Sequence, residues 1–340
     1  MKKVYLEDLV DYVGEDITEL FYVKDLLKNH NRQGTVWTTV RLVDKTGERN
    51  AKIWSEFNDS KFENCNNAVC RLTGKVDIYN GVAGIAITEI DRVPEEEYDM
   101  SDFSAGMSHE LCNGYKKQLL AYIDKVKNPS YHALLQKIFN ERNIASLCKL
   151  PAGVYNHHSF NGALLVHTLE VTRLAISAAY VNDQYAECKE YVKNKVDMDL
   201  IITGALLHDI GKITEYLPFP MARRTTRGHL VGHLAEGVVF VTSYNSLLDS
   251  SERVQDTTEL NHIIMSSHGI DGGMAPATLE AVIVHNADMM SASMDAYHCA
   301  FKEEEKKHPD NKNQYAYSQM LDTKLYRRKE EVTSENELKN

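Results

Sequence analysis

His208 and Asp209 stand side by side in the run Gly204-Ala205-Leu206-Leu207-His208-Asp209-Ile210-Gly211-Lys212. On a helix, adjacent side chains point about 100° apart, so both can reach one ion only if other segments close the remaining positions. The chain offers such segments: His167 upstream, then His233, His268 and Asp288 downstream. Imidazole suits transition metals, and a carboxylate between imidazoles can bridge two ions. The chemistry such a set performs is hydrolysis of a phosphate ester. Any one of the 14 histidines, taken alone, reads as a satisfied surface or core residue. The runs Leu164-Leu165-Val166-His167, Leu206-Leu207-His208-Asp209 and Val282-Ile283-Val284-His285-Asn286-Ala287-Asp288 differ, because they set polar groups against stretches that must be buried. Buried polar groups need partners and buried charges need pairing or a metal, and a metal would satisfy all of these together.

The elements that must position these residues lie in the helical part of a multidomain chain. Residues up to about 95 read as β. Thr35 to Val43 is rich in Val, Thr and Trp, Asp44-Lys45-Thr46-Gly47 is a turn, and Arg49 to Trp54 returns as a second arm. Ala68 to Val76 and Ala83 to Ile90 follow, split by the hairpin signal Asn80-Gly81. With the mixed run Ile17 to Leu27 this makes five short strands, and an OB-fold barrel over residues 1–95 is the leading candidate. Tyr22, Trp37, Trp54 and Tyr79 could stack bases, with Lys52 and Lys75 as nearby cations; the alternative is that most of these aromatics are barrel core.

Residues 96–109 read as an acidic linker and 110–325 as an all-α domain. Apolar spacing predicts helices over Leu111 to Val126, Tyr131 to Phe139, Gly162 to Tyr180, Met198 to Ile210, His229 to Leu248 and Val254 to His268. A last long helix is expected from about Pro276 to Glu305, with Pro276 in its first turn. The stretch from Lys306 onward reads as a solvated helix with a frayed end, residues 326–340 forming a charged tail.

The apolar fraction of 43% and charged fraction of 26% are those of an ordinary globular protein. A net charge of −11 argues against coating nucleic acid by bulk electrostatics, though not against a local basic cleft. The six cysteines, at 65, 70, 112, 148, 188 and 299, form no Cys-x-x-Cys pair, so reduced thiols in a cytoplasm are expected. No apolar h-region opens the chain, and no apolar run is expected to reach the roughly 20 residues of a membrane helix.

His167, His208-Asp209 and Asp288 resemble the metal-binding pattern of the HD-domain phosphohydrolases. The chain is similar, over roughly residues 15 to 300, to the YhaM-type 3′–5′ exoribonucleases, which join an OB-fold to an HD domain. The matching stretches are His157 to Thr168, Gly204 to Lys212, Thr225 to His233, Ser266 to Gly269 and His285 to Asp288. The resemblance implies that His167, His208, Asp209 and Asp288 hold one ion and that Asp209 bridges to a second, completed by His233 and His268. It suggests manganese, one or two ions per chain; such ligands also accept iron, cobalt or nickel. Lys212 would balance transition-state charge, or else serve as a helix-end lysine. His157 and His158, and Arg223, Arg224 and Arg227, would contact phosphate, with a solvated turn and loop as alternatives; Trp54 would hold a base. The chain departs from the family's Ser-His-His-Gly at Ser267, a position expected to supply a second-metal ligand. His262 lies too far around the helix to replace it, whereas His229 shares the face of His233.

The implied partner is single-stranded RNA, or DNA, with no membrane contact; a homo-oligomer is left open. Two other readings stand beside this one. A hydrolase of nucleotides or cyclic dinucleotides would not need a strand-holding barrel. A non-catalytic RNA-binding protein with a structural metal site would tolerate Ser267.

Overall fold

The computed structural model describes residues 2–30, 36–54, 64–79, 81–103, 107, 109–153, 162–188, 195–217, 223–308 and 313–328. Five strands, β1 (Asp16–His30), β2 (Val36–Asp44), β3 (Gly47–Ile53), β4 (Ala68–Tyr79) and β5 (Val82–Arg92), close into a barrel in the order β1-β2-β3-β5-β4, the OB-fold arrangement expected from the sequence. β1 is long enough to serve two neighbours. Its residues 16–23 pair with β4 and its residues 22–30 with β2, and a bulge between Val23 and Asp25 turns the strand. A parallel contact of Lys52 with Ala86 and Ile53 with Ile87 completes the closure. Beside a second bulge, a Cβ on Gly74 would stand 2.3 Å from the Ala86 carbonyl oxygen, so only bare backbone fits that bend. Phe21, Val40, Leu42, Ile53, Leu72 and Ile85 fill the interior.

Two segments dress the barrel. Near the N-terminus Lys2 is buried: its ammonium donates to the Leu20 carbonyl, lies 3.6 Å from Asp44 and sits over the Phe21 ring. The acidic linker docks, with Val93 and Phe103 packed on Leu20, Tyr22, Val43 and Val69 of the outer wall. Tyr22 is therefore 3% exposed, which corrects its candidacy as a stacking residue: the linker covers it.

Ten helices follow among the described residues: α1 (His109–Ile123), α2 (Pro129–Ile138), α3 (Glu141–Leu147), α4 (Ala163–Gln184), α5 (Met198–Leu207), α6 (Lys212–Glu215), α7 (Thr226–Leu230), α8 (His233–Ser246), α9 (Thr258–Ser266) and α10 (Leu279–Lys307). Between α6 and α7 the short strands β6 (Tyr216–Leu217) and β7 (Arg223–Arg224) pair antiparallel. Helix starts follow capping chemistry. Asn128 accepts from the amides of Ser130 and Tyr131 ahead of α2, and Asp197 accepts from Leu200 ahead of α5. Leu164, Leu165, Ile201, Leu206, Ile263 and Val284 knit α4, α5, α9 and α10 into one core.

The structure corrects several expectations. α4 is long and apolar enough to cross a membrane by length and composition; here half of its most apolar window is buried in the bundle. α8 begins at His233 instead of His229, because Gly232 takes a φ of 78° that ends the preceding turn. α10 begins after Thr278, whose hydroxyl accepts from the Ala281 amide, so Pro276 lies outside it. The described residues beyond His308 do not continue as helix. They form a hairpin of β8 (Tyr315–Ser318) and β9 (Thr323–Tyr326), whose Ala316 and Leu325 pack on Phe301 and Tyr297 of α10. Cys112 and Cys148 are joined in a disulfide instead of standing reduced, because the fold brings α1 to the end of α3.

Candidate metal centre

Five helices and the turns at their ends deliver the chemistry-bearing residues to one point. His167 lies on the second turn of α4, and Asp288 about a third of the way along α10. His208 caps α5, and Asp209 follows it in the turn before α6. His233 is the first residue of α8, and His268 follows the end of α9. Placing both polar residues of the dipeptide in a turn answers the 100° problem, since the helix need not accommodate them on one face. A Cβ on Gly211 would stand 2.0 Å from the His233 carbonyl oxygen and 2.5 Å from the Gly237 nitrogen. The glycine of the motif is thus what lets α8 approach closely enough to bring His233 to Asp209.

Two clusters result: His167, His208 and Asp288, and Asp209, His233 and His268, with the ligand atoms of each within 4.8 Å of one another. Asp209 joins them. Its Oδ2 lies 3.5 Å from His167 Nε2 and 3.4 Å from His208 Nε2, while its Oδ1 lies 3.5 Å from His233 Nε2 and 4.0 Å from His268 Nε2. Asp288 spans them too, with Oδ1 3.0 Å from His167 and Oδ2 3.7 Å from His268.

Hydrogen bonding fixes which atoms carry lone pairs. Ser291 Oγ donates to Glu170 at 2.8 Å, so it must accept from His167 Nδ1 at 3.0 Å, leaving His167 Nε2 as an acceptor. His208 Nδ1 donates to the Ala205 carbonyl at 2.8 Å, leaving its Nε2 likewise. The two Nε2 atoms then face each other at 3.4 Å beside two carboxylates, an arrangement that calls for a cation between them. In the other cluster, Asp209 Oδ1 and His233 Nε2 are buried with no hydrogen-bond partner. Glu215 Oε2 lies 2.7 Å from His233 Nδ1, off the line of an aligned hydrogen bond, and favours the proton on that nitrogen. The donor set fits divalent metal ions: neutral imidazoles and carboxylates with electron pairs converging, each ring oriented from behind.

The charges agree. Burial alone would raise Asp209, but Lys212, His208 and His233 outweigh it and hold the carboxyl well below the usual range. Burial likewise opposes, and His167 and His208 overcome, the ionisation of Asp288, which is lowered to about 2. His268 is pushed down to about 4, chiefly by burial against the pull of Asp209 and Asp288, so it is neutral near pH 7. His208 is raised: burial opposes the proton, and Asp209 and Asp288 prevail. A metal ion would take the place of that proton.

The remaining expected residues fall into three groups. Lys212 is buried, with Nζ 2.6 Å from Asp209 Oδ2. Arg224 pairs with Glu215 at 2.9 Å and Arg227 with Glu236 at 2.5 Å, both carboxylates buried and both arginine side chains at least half exposed. Arg223 is described through its backbone, paired with Leu217. His157 and His158 lie outside the described residues. Trp54 is 53% exposed on the barrel, its ring 6.4 Å from that of Trp37, with Lys52 Nζ 5.0 Å over it. Ser267 is buried and donates to the Ile264 carbonyl at 3.1 Å. Both clusters form without it, and without the exposed His229 or His262, whose Nε2 accepts from the Ala277 amide.

Sequence reasoning missed Glu215, Ser291 and Glu170. Two of them carried a signal: Glu170 and Ser291 each lie three residues beyond a ligand, His167 and Asp288, on the same helix face.

A family described as "HD domain" matches residues 164–293, which include all six cluster residues. The chain is 27% identical to the 3′–5′ exoribonuclease YhaM of Bacillus subtilis (strain 168), over 83% of its own length and 87% of that protein's. It is 26% identical to the 3′–5′ exoribonuclease YhaM of Listeria innocua serovar 6a, over 84% and 88% respectively. The resemblance read from the motifs is borne out by these relatives. Among solved structures, the second OB-fold domain of replication protein A from Methanococcus maripaludis aligns with 25% of this chain and 87% of its own, at 18% identity and a TM-score of 0.19.

Proposed function

We propose that this HD-domain chain is a metal-dependent 3′–5′ exonuclease that hydrolyses phosphodiester bonds of single-stranded RNA, with manganese as its metal. The observation that supports it most directly is the convergence of four imidazole Nε2 atoms and two carboxylates, two of these atoms buried and otherwise unpaired. Relatives named as exoribonucleases, similar over most of both chains, supply the substrate class.

His167, His208 and Asp288 would hold one ion and His233 and His268 a second, with Asp209 shared. Bound there, divalent ions supply Lewis-acid activation of a phosphodiester and acidify a water. The protein's own part is preorganisation. Lys212 holds Asp209 Oδ2 and offsets its charge within the buried site. Ser291 with Glu170 orients His167, and the Ala205 carbonyl orients His208. The half-exposed Arg224 and Arg227 stand as phosphate contacts at the rim, each anchored by a buried carboxylate. Trp37 and Trp54 on the barrel offer ring faces to unpaired bases.

The test is a 5′-labelled oligoribonucleotide incubated with the manganese-loaded protein, with a deoxy strand in parallel. The expected result is a ladder shortened from the 3′ end. An intact strand, or cuts confined to internal positions, overturns the reading, and turnover of mononucleotides alone supports the small-substrate alternative.

A further inference from the structure

We propose that a cavity at the seam between the barrel and the helices is a substrate subsite, holding a phosphate and an adjoining base of a single strand upstream of the metal centre. It rests on the single-strand substrate proposed above. The cavity encloses about 400 Å³, within the range of small-ligand sites. The barrel supplies Tyr22, Asn67, Arg92 at the end of β5, and Glu95 and Tyr98 of the docked linker; the helical part supplies Lys149.

The cations of this cavity come as a pair. The chain is acidic, and several arginines elsewhere are engaged: Arg71 and Arg327 pair with carboxylates, and Arg253 donates to main-chain carbonyls. Arg92 and Lys149 are exposed, and among the described residues neither side chain is held in a hydrogen bond or ion pair. Two such cations, one from each part of the molecule, face one cavity, and Glu95 offsets only one of them. A guanidinium presents parallel donors to a phosphate, and an ammonium adds a point charge. The partly buried Tyr98 ring, propped edge-on by Phe103 at 5.5 Å, gives a base an aromatic wall. Asn67 holds a φ of 58°, and its side-chain oxygen accepts from the Tyr22 hydroxyl at 3.4 Å, so the polar floor is built.

The location suits a strand whose 3′ end is at the metal centre. Lys149 precedes Leu150, whose carbonyl accepts from the amides of Gly162 and Leu164 at 3.1 Å each. That ties Lys149 to the head of α4. His167 is four residues beyond the first residue of that helix, a rise of about 6 Å.

The test uses the metal-loaded full chain and an oligoribonucleotide protected at its 3′ end by phosphorothioate linkages, with affinity measured against salt. R92Q/K149Q should bind more weakly, and its salt slope should fall by about 0.7, the change for the one phosphate no longer neutralised. R92K/K149R should keep the wild-type slope. An unchanged slope in R92Q/K149Q overturns the subsite and leaves the exonuclease reading standing. Failure of the wild type to bind any single strand overturns both.

Discussion

Asp209 is the residue on which both clusters depend, since each of its oxygens faces a different pair of imidazoles. Its neighbours show a division of labour. Lys212 neutralises one oxygen, while the other is left buried and unpaired. Glu215 extends the arrangement outward: it is 1% exposed, 2.7 Å from His233 and 2.9 Å from the rim residue Arg224. A carboxylate behind a metal-binding imidazole fixes the ring and raises its basicity, and removing it typically costs about 10–100-fold in metal affinity. Glu215→Gln keeps the shape but not the charge. The expected outcome, read as ions per chain and as affinity by calorimetry, is loss of affinity for one of two ions with the other retained. Two ions held at wild-type affinity in the variant would rule out Glu215 as a positioning residue.

At the scale of elements, the N-terminal segment carries a consequence for pH. Burial, opposed mainly by Asp44 and Glu19, lowers the Lys2 ammonium from 10.5 to about 8. The folded state therefore releases this proton near pH 8, whereas the unfolded chain keeps it until about 10.5. Between those values the unfolded state binds more protons, so this residue makes stability rise with pH, by up to about 3 kcal/mol. Chemical denaturation from pH 7.5 to 10.5 should show that rise in the wild type and not in Lys2→Met; parallel curves would contradict it. Elements also mark how far the sequence could be read. Strand composition and the Asn80-Gly81 signal located the barrel, and apolar periodicity located most helices, because those signals are local. Helix ends were less legible: His208-Asp209, His233 and His268 sit at termini, where Gly232 and a turn override the periodic pattern. The β8–β9 hairpin was hidden because each arm has only four residues and only the first alternates, amid charges that read as solvated. The Cys112–Cys148 bond and the grip of Glu215 on His233 depend on tertiary approach, which no spacing records.

For the whole molecule, the question is why a hydrolytic centre that fits within the helices should be joined to a barrel. Among the described residues the barrel carries a tryptophan pair, half-exposed Trp54 and Trp37, with Lys52 over the Trp54 ring and 5.4 Å from Tyr79. On the proposed reading that surface would bind by stacking, and a stacked base is worth about 1–3 kcal/mol on truncation of its partner to alanine. The seam cavity, by comparison, is held to bind through charge. The two contributions separate by salt. Trp54→Ala should weaken binding of a 3′-protected strand by that amount at every salt concentration, leaving the slope of log affinity against log salt where it was. Its effect on hydrolysis of a small phosphodiester, which reaches no barrel residue, should be smaller than on a long strand. Equal losses on the two substrates would mean that Trp54 acts through stability of the fold, and a changed slope would mean that the tryptophan face orders phosphates as well as bases. A barrel that only shields the helices would give neither the loss of strand affinity nor the preference for long substrates.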